Sequence, residues 1–310
     1  MFFDNQENKI PGKMFTNHIR KIWYLIFRND LNYNTCFMKK FKFIFLLTVS
    51  WILASCTTVQ ITESDAFDAH RTIFPDLFSQ SGIELHDISI DTEDGETLDA
   101  WFFQREDAVA TVVYFGGNGF LMVKSRPLIE AYATVPVNLL LFDYRGYGQS
   151  TGDPTVAGIR EDAIAAYNFV KNLQDDDHPI YVHGHSIGSF LSAFVADEYD
   201  TAGYILESPI TDVHNWTRKM VPWIARIFIR FDIDDEIRTQ NNTERVERIE
   251  KPLLIMGGSN DEITPFQMAE SLYESSPSSE KTLVRITGGS HNDLPKSVEY
   301  RRALAEFFGQ

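Results

Sequence analysis

From residue 82 onward the chain alternates short β-branched runs with longer stretches of helical period, and that alternation leaves few folds open. Strand and helix in turn are the pattern of a mostly parallel sheet with helices on both faces. The runs 110–115, 137–143, 180–183, 202–206, 253–256 and 282–286 are brief and largely apolar, as strands buried on both faces are. Ahead of them, 83–91 and 97–104 alternate around the turn Glu93-Asp94-Gly95-Glu96. That predicts an antiparallel hairpin at one edge of an eight-stranded α/β sheet. Helices are predicted over 121–134, 155–173, 188–198, 265–275 and 295–308. The segment 211–248 breaks the rhythm and reads as a small helical cap within a domain spanning 81–310.

The sharpest local signal is Gly184-His185-Ser186-Ile187-Gly188, a G-x-S-x-G placed where a strand gives way to a helix. Small residues two positions either side let strand and helix approach, and the turn lifts a serine hydroxyl above the sheet. A hydroxyl is a poor nucleophile at neutral pH, so such a serine needs a histidine base and a carboxylate to orient it. Asp261 follows the strand at 253–256 and His291 follows the strand ending at Ile286. Both therefore stand at carboxyl ends of strands, where a doubly wound sheet displays its functional groups.

Four blocks in order, Phe115-Gly116-Gly117-Asn118-Gly119, Asp143-Tyr144-Arg145-Gly146-Tyr147-Gly148-Gln149-Ser150, the G-x-S-x-G turn and the Asp261/His291 pair, resemble the α/β-hydrolase superfamily. Within it the chain looks like the lysophospholipase and S33-peptidase-like serine hydrolases, over roughly residues 83–308. The resemblance implies Ser186 as nucleophile, His291 as base, Asp261 as orienter, and the amides of Asn118 and Ile187 as oxyanion hole. It implies a cofactor-free acyl-enzyme route on an ester, thioester or related acyl bond, with a peptidase or amidase as the neighbouring alternative. One departure is Gly116-Gly117, where the family commonly has His-Gly.

Other residues compete for these roles. Asp212 and Glu262 are rival orienters, and His214 is a rival base. Glu207 suits a structural or cap-contacting part, and Arg145 suits fixing the top of the sheet. His183 and His185, two apart on a strand, share a face and are the basis of a rival metallohydrolase reading; a catalytically silent binding module is the other rival. In the cap, Trp216, Met220, Trp223, Ile227 and Phe231 recur at helical spacing. Two helices, broken at Pro222, are predicted there, with Trp216, Met220, Trp223 and Ile227 as pocket residues.

Upstream, Met38-Lys39-Lys40-Phe41-Lys42 and the uncharged run 43–55 read as the charged and apolar parts of a secretory signal. The run is shorter than the roughly 18 residues a spanning helix needs. It ends Leu53-Ala54-Ser55-Cys56, which resembles a bacterial lipobox, making Cys56 the expected lipid-attachment site. Residues 1–37 then read as an over-extended start, 38–55 as the signal and 56–80 as anchor and tether. The expected location is the extracytoplasmic side of a bacterial membrane, with an acyl compound or lipid as substrate. The charge of −16, from 28 basic and 44 acidic residues, disfavours nucleic acid as a partner.

Overall fold

The strands of the central sheet differ in burial as their positions in it demand. The computed structural model describes residues 57–61, 82–174, 177–219 and 229–309, all within the unit Thr57–Gln310. Its strands are β1 (Thr57–Ile61), β2 (Glu84–Asp91), β3 (Thr97–Gln104), β4 (Ala110–Phe115), β5 (Val137–Phe142), β6 (Ile180–His185), β7 (Gly203–Glu207), β8 (Ile229–Ile233), β9 (Leu253–Gly258) and β10 (Lys281–Ile286). Eight of them form one sheet in the order β10-β9-β7-β6-β4-β5-β3-β2. The β3 strand runs antiparallel to both β2 and β5, and every other pairing is parallel. Every residue of β4, β5, β7 and β9 is buried, whereas the edge strands β2 and β10 are mostly not. The expected fold class holds, hairpin included.

The helices are α1 (Arg126–Tyr132), α2 (Val156–Leu173), α3 (Gly188–Glu198), α4 (Val213–Lys219), α5 (Asp235–Arg238), α6 (Asn242–Val246), α7 (Gln267–Ser275) and α8 (Val298–Phe307). Side chains of a strand alternate between faces, so Val113 and Phe115 join one core with α2, α3 and α7. Val112 and Tyr114 join the other with α1 and α8. The β4 strand pairs with β5 on one side and β6 on the other, so the chain leaves it in both directions. That switch point opens a crevice at the carboxyl ends of β4 and β6.

Two predicted helices are shorter than their periodicity. The helix expected over 121–134 is a 3-10 turn, Met122–Lys124, followed by α1, because Pro127 lacks the N–H that would bond back to residue 123. The one expected over 295–308 begins at Val298, where the Ser297 hydroxyl accepts from the Tyr300 amide at 3.1 Å.

The cap differs more. Phe231, expected on a helical face, lies in β8, which pairs in parallel with β1 and sets Val59 opposite Phe231. Ile229-Arg230-Phe231-Asp232-Ile233 alternates at period two, a pattern that joining Phe231 to Ile227 at helical spacing concealed. Residues 57–61, expected in a tether, are β-branched at four of five positions and supply the partner strand. Cys56, the leader, Met220, Trp223 and Ile227 lie outside the described residues. Among the described residues no helix is long and apolar enough to cross a membrane.

Candidate active site

The turn after β6 is built by glycines. A Cβ on Gly184 would strike the Gly188 backbone, and one on Gly188 would strike the carbonyls of Phe115 and Gly116. This close approach puts Ser186 at φ 54°, a left-handed conformation rare outside glycine. Its amide is held by the Glu207 carbonyl at 2.9 Å, and its carbonyl accepts from Ser189 Oγ at 2.5 Å.

Ser186 Oγ lies 2.9 Å from His291 Nε2, and His291 Nδ1 lies 2.8 Å from Asp261 Oδ2. The carboxylate accepts a hydrogen bond from Nδ1–H, which leaves the Nε2 lone pair facing the hydroxyl. Asp261 is itself fixed: Oδ1 accepts from the amides of Ile263 and Thr264 at 2.9 and 2.8 Å, and Oδ2 from Thr264 Oγ1 at 2.8 Å. Burial raises this carboxyl's pKa, but the His291 bond and charge and the Thr264 donors outweigh it and hold it at about 2. The Ile263 amide, two residues beyond Asp261, completes the Asx turn that an aspartate in a loop commonly makes, while the Thr264 hydroxyl bond carries no sequence signal of its own.

His185 has a different part from the metal ligand considered for it. Its Nε2–H donates to the His291 carbonyl at 2.9 Å, and burial lowers its pKa and keeps it neutral. A Cβ on Gly117 would fall 2.7 Å from His185 Nδ1, which accounts for a glycine there. His183 turns to a separate buried group, with Nδ1 2.6 Å from Tyr132 Oη and Nε2 3.1 Å from Glu207 Oε2. Tyr300 donates to the same Glu207 oxygen at 2.9 Å. The two imidazoles thus have different partners, and among the described residues no set of three His, Cys, Asp or Glu is arranged to hold a metal. Glu207 is structural, and its backbone carries the link to Ser186.

The rival residues are occupied elsewhere. Asp212 accepts from the Asn215 amide and side chain, both at 2.7 Å, and His214 is exposed. Glu262 is exposed beside Asp261. Arg145 bridges Asp162 and, bidentately, Asp94, tying the loop after β5 to α2 and to the β2–β3 turn. That is the sheet-top role expected of it.

Ser186 and His291 open into a cavity of about 280 Å³. Its apolar wall includes Ile159, Phe190, Leu191, Ile210, Val213 and Trp216. Of the four predicted pocket residues, Trp216 is therefore in the wall, with Nε1–H donating to the Ile263 carbonyl at 3.0 Å. Asn118 and Ile187 also line the cavity. Ile187 is the N-cap of α3, and the amides of Ser189 and Phe190 donate to the carbonyls of Ser186 and Ile187, each at 3.0 Å. Arg160 and Gln240 add polar groups that sequence reasoning did not find.

A family model described as serine aminopeptidase, S33, matches residues 106–241. The chain is 29% identical over 245 residues to uncharacterized protein YfhR of Escherichia coli K12, covering 75% of this chain and 82% of that one. It is 30% identical over 233 residues to lysophosphatidylserine lipase ABHD12 of Macaca fascicularis, covering 66% of this chain and 58% of that one. Among solved structures, Pyrococcus furiosus esterase Pf2001 matches with a TM-score of 0.63 at 20% identity, covering 78% and 96% of the two chains. An acylaminoacyl peptidase of Pyrococcus horikoshii matches at 0.56 and 16%, covering 74% and 42%. With its eight-stranded sheet and these likenesses, the protein is a hydrolase of the α/β-hydrolase fold.

Proposed function

We propose that the protein is a serine hydrolase that cleaves a carboxylic ester or related acyl bond through an acyl-enzyme. The observation that carries this is the unbroken relay Ser186 Oγ, His291 Nε2, His291 Nδ1, Asp261 Oδ2, with links of 2.9 and 2.8 Å, opening into an apolar cavity. Ser186 Oγ attacks the carbonyl carbon while its proton passes to His291 Nε2. The oxyanion forms at the amides of Asn118 and Ile187, and Asp261 stabilises the imidazolium. His291 then protonates the departing alkoxide, leaving the acyl group on Ser186. Water, deprotonated by His291, attacks that ester, and collapse returns the acid and free Ser186.

The cavity also favours an ester over an N-terminal peptide bond. An aminopeptidase must hold an ammonium group, and no carboxylate belongs to the described lining. Its apolar wall suits an acyl chain, as the name of the lipase relative suggests. In a panel of acyl p-nitrophenyl esters and aminoacyl p-nitroanilides, we expect turnover of the esters, greatest at medium chain length. Ser186→Ala should fold normally and lose at least about 10³ in kcat. Turnover of aminoacyl anilides alone would replace the esterase reading, and an active Ser186→Ala would remove the serine mechanism.

The location we propose is extracytoplasmic, through lipid on Cys56, supported by the charged and apolar runs before it. The acidic body gives anionic membranes little electrostatic hold, which leaves a covalent lipid as the anchor. Labelled palmitate should enter the wild type and not Cys56→Ser, which should leave the membrane fraction; label retained on the variant would contradict this.

A further inference from the structure

Arg160, on α2, is the only lining residue among those described, apart from the two imidazoles, that carries an ionisable side chain. Its guanidinium carbon stands 4.9 Å from the ring centroid of Phe194, and it has no hydrogen bond or ion pair among the described residues. Arg245 approaches the same ring at 5.3 Å but lies 3.7 Å from Asp197, which also pairs with Arg248. The two neighbouring arginines thus share one carboxylate, and among the described residues Arg160 has none.

The composition makes that notable. With 44 acidic residues against 28 basic ones, carboxylates outnumber the cations available to meet them. A partly buried guanidinium beside an apolar wall gives up hydration that only a counter-ion restores in full. The contact with Phe194 engages the charge over the ring face and leaves the N–H donors free to hold a planar carboxylate or a phosphate.

We propose that Arg160 is a specificity residue that binds an anionic group, carboxylate or phosphate, carried by the acyl substrate. This rests on the serine-hydrolase reading of Ser186 and names its substrate class: an anionic amphiphile, with the apolar wall taking the chain and Arg160 the charge. The surplus of negative charge repels such a molecule at long range, so a local cation is what admits it.

Two matched pairs test this, one for each side of the scissile bond. On the acyl side, a p-nitrophenyl ester of an ω-carboxyalkanoic acid is compared with its uncharged ω-hydroxy analogue; on the leaving-group side, a monoacylglycerol phosphate with the monoacylglycerol. In at least one pair the wild type should favour the anion by roughly tenfold or more in kcat/KM, as a charged hydrogen bond implies. The preference should shrink in 0.5 M salt. Arg160→Gln should bring the ratio to about one, and Arg160→Lys should retain part of it. The ratio within each enzyme is the readout, so a general loss of activity does not imitate the effect. No anion preference in either wild-type pair, or a preference that survives in Arg160→Gln, overturns the proposal while Ser186-dependent turnover of neutral ester stands. If Arg160→Gln does not fold, the wild-type ratios and their salt dependence decide alone. Ester turnover independent of Ser186 would instead overturn the reading beneath it.

Discussion

Ser186 occupies a conformation that costs a non-glycine residue about 1–3 kcal/mol, and the surrounding hydrogen bonds hold it there. Asp261 and Asp143 show how environment separates two buried carboxyls. Asp261 meets a histidine and three donors and stays ionised to about pH 2, so its contribution to stability is present above pH 4 and lost as pH falls through 2. Asp143 has burial as its chief influence, relieved by the Met122 amide at 2.8 Å, and is pushed up to about 7. Gly148 packs closely on it, since a Cβ there would strike Asp143 Oδ2. The folded state therefore holds a proton that the unfolded chain releases near pH 4. From this residue stability falls as pH rises from about 4 to 7, by about 4 kcal/mol at most. Asp143→Asn stays neutral, so its Tm relative to wild type should climb between pH 5 and pH 8. A Tm difference that is flat across that interval would show that Asp143 ionises freely in the fold.

At the scale of elements, the β6–α3 junction is where backbone meets backbone. Gly188→Ala places a methyl against the carbonyls of Phe115, the last residue of a fully buried strand, and of Gly116 just beyond it, neither of which has room to retreat. The cost should be on the order of 2 kcal/mol, lowering Tm by roughly 4–8 °C. An unchanged Tm would mean that the strand and helix are not so closely apposed. This junction was legible in the sequence because glycine spacing and an apolar run are local signals. Ser186, Asp261 and His291 were legible for the same reason, each following a recognisable strand. The β1–β8 pair was not, because it joins residues 57–61 to 229–233 and its partners bear no mark of each other. Nor were Ile159 and Arg160, which reach the cavity only because α2 runs beside α3 in the folded sheet. A helical stripe shows which residues share a face, and packing decides what that face meets.

For the molecule as a whole, the sheet supplies a rigid floor on which three distant segments converge, and loop and cap residues shape what enters above it. The switch at β4 puts Asn118 and Ser186 in the wall of one cavity, while β9 and β10 deliver Asp261 and His291 from the far side. The central claim is that this convergence activates one serine. Reaction of the full chain with an alkyl fluorophosphonate, followed by digestion and mass mapping, tests it most directly. One adduct per chain is expected, on Ser186, forming at least about a hundredfold more slowly in His291→Ala. An adduct on another serine, or ester hydrolysis by a chain that takes no label, would contradict the account.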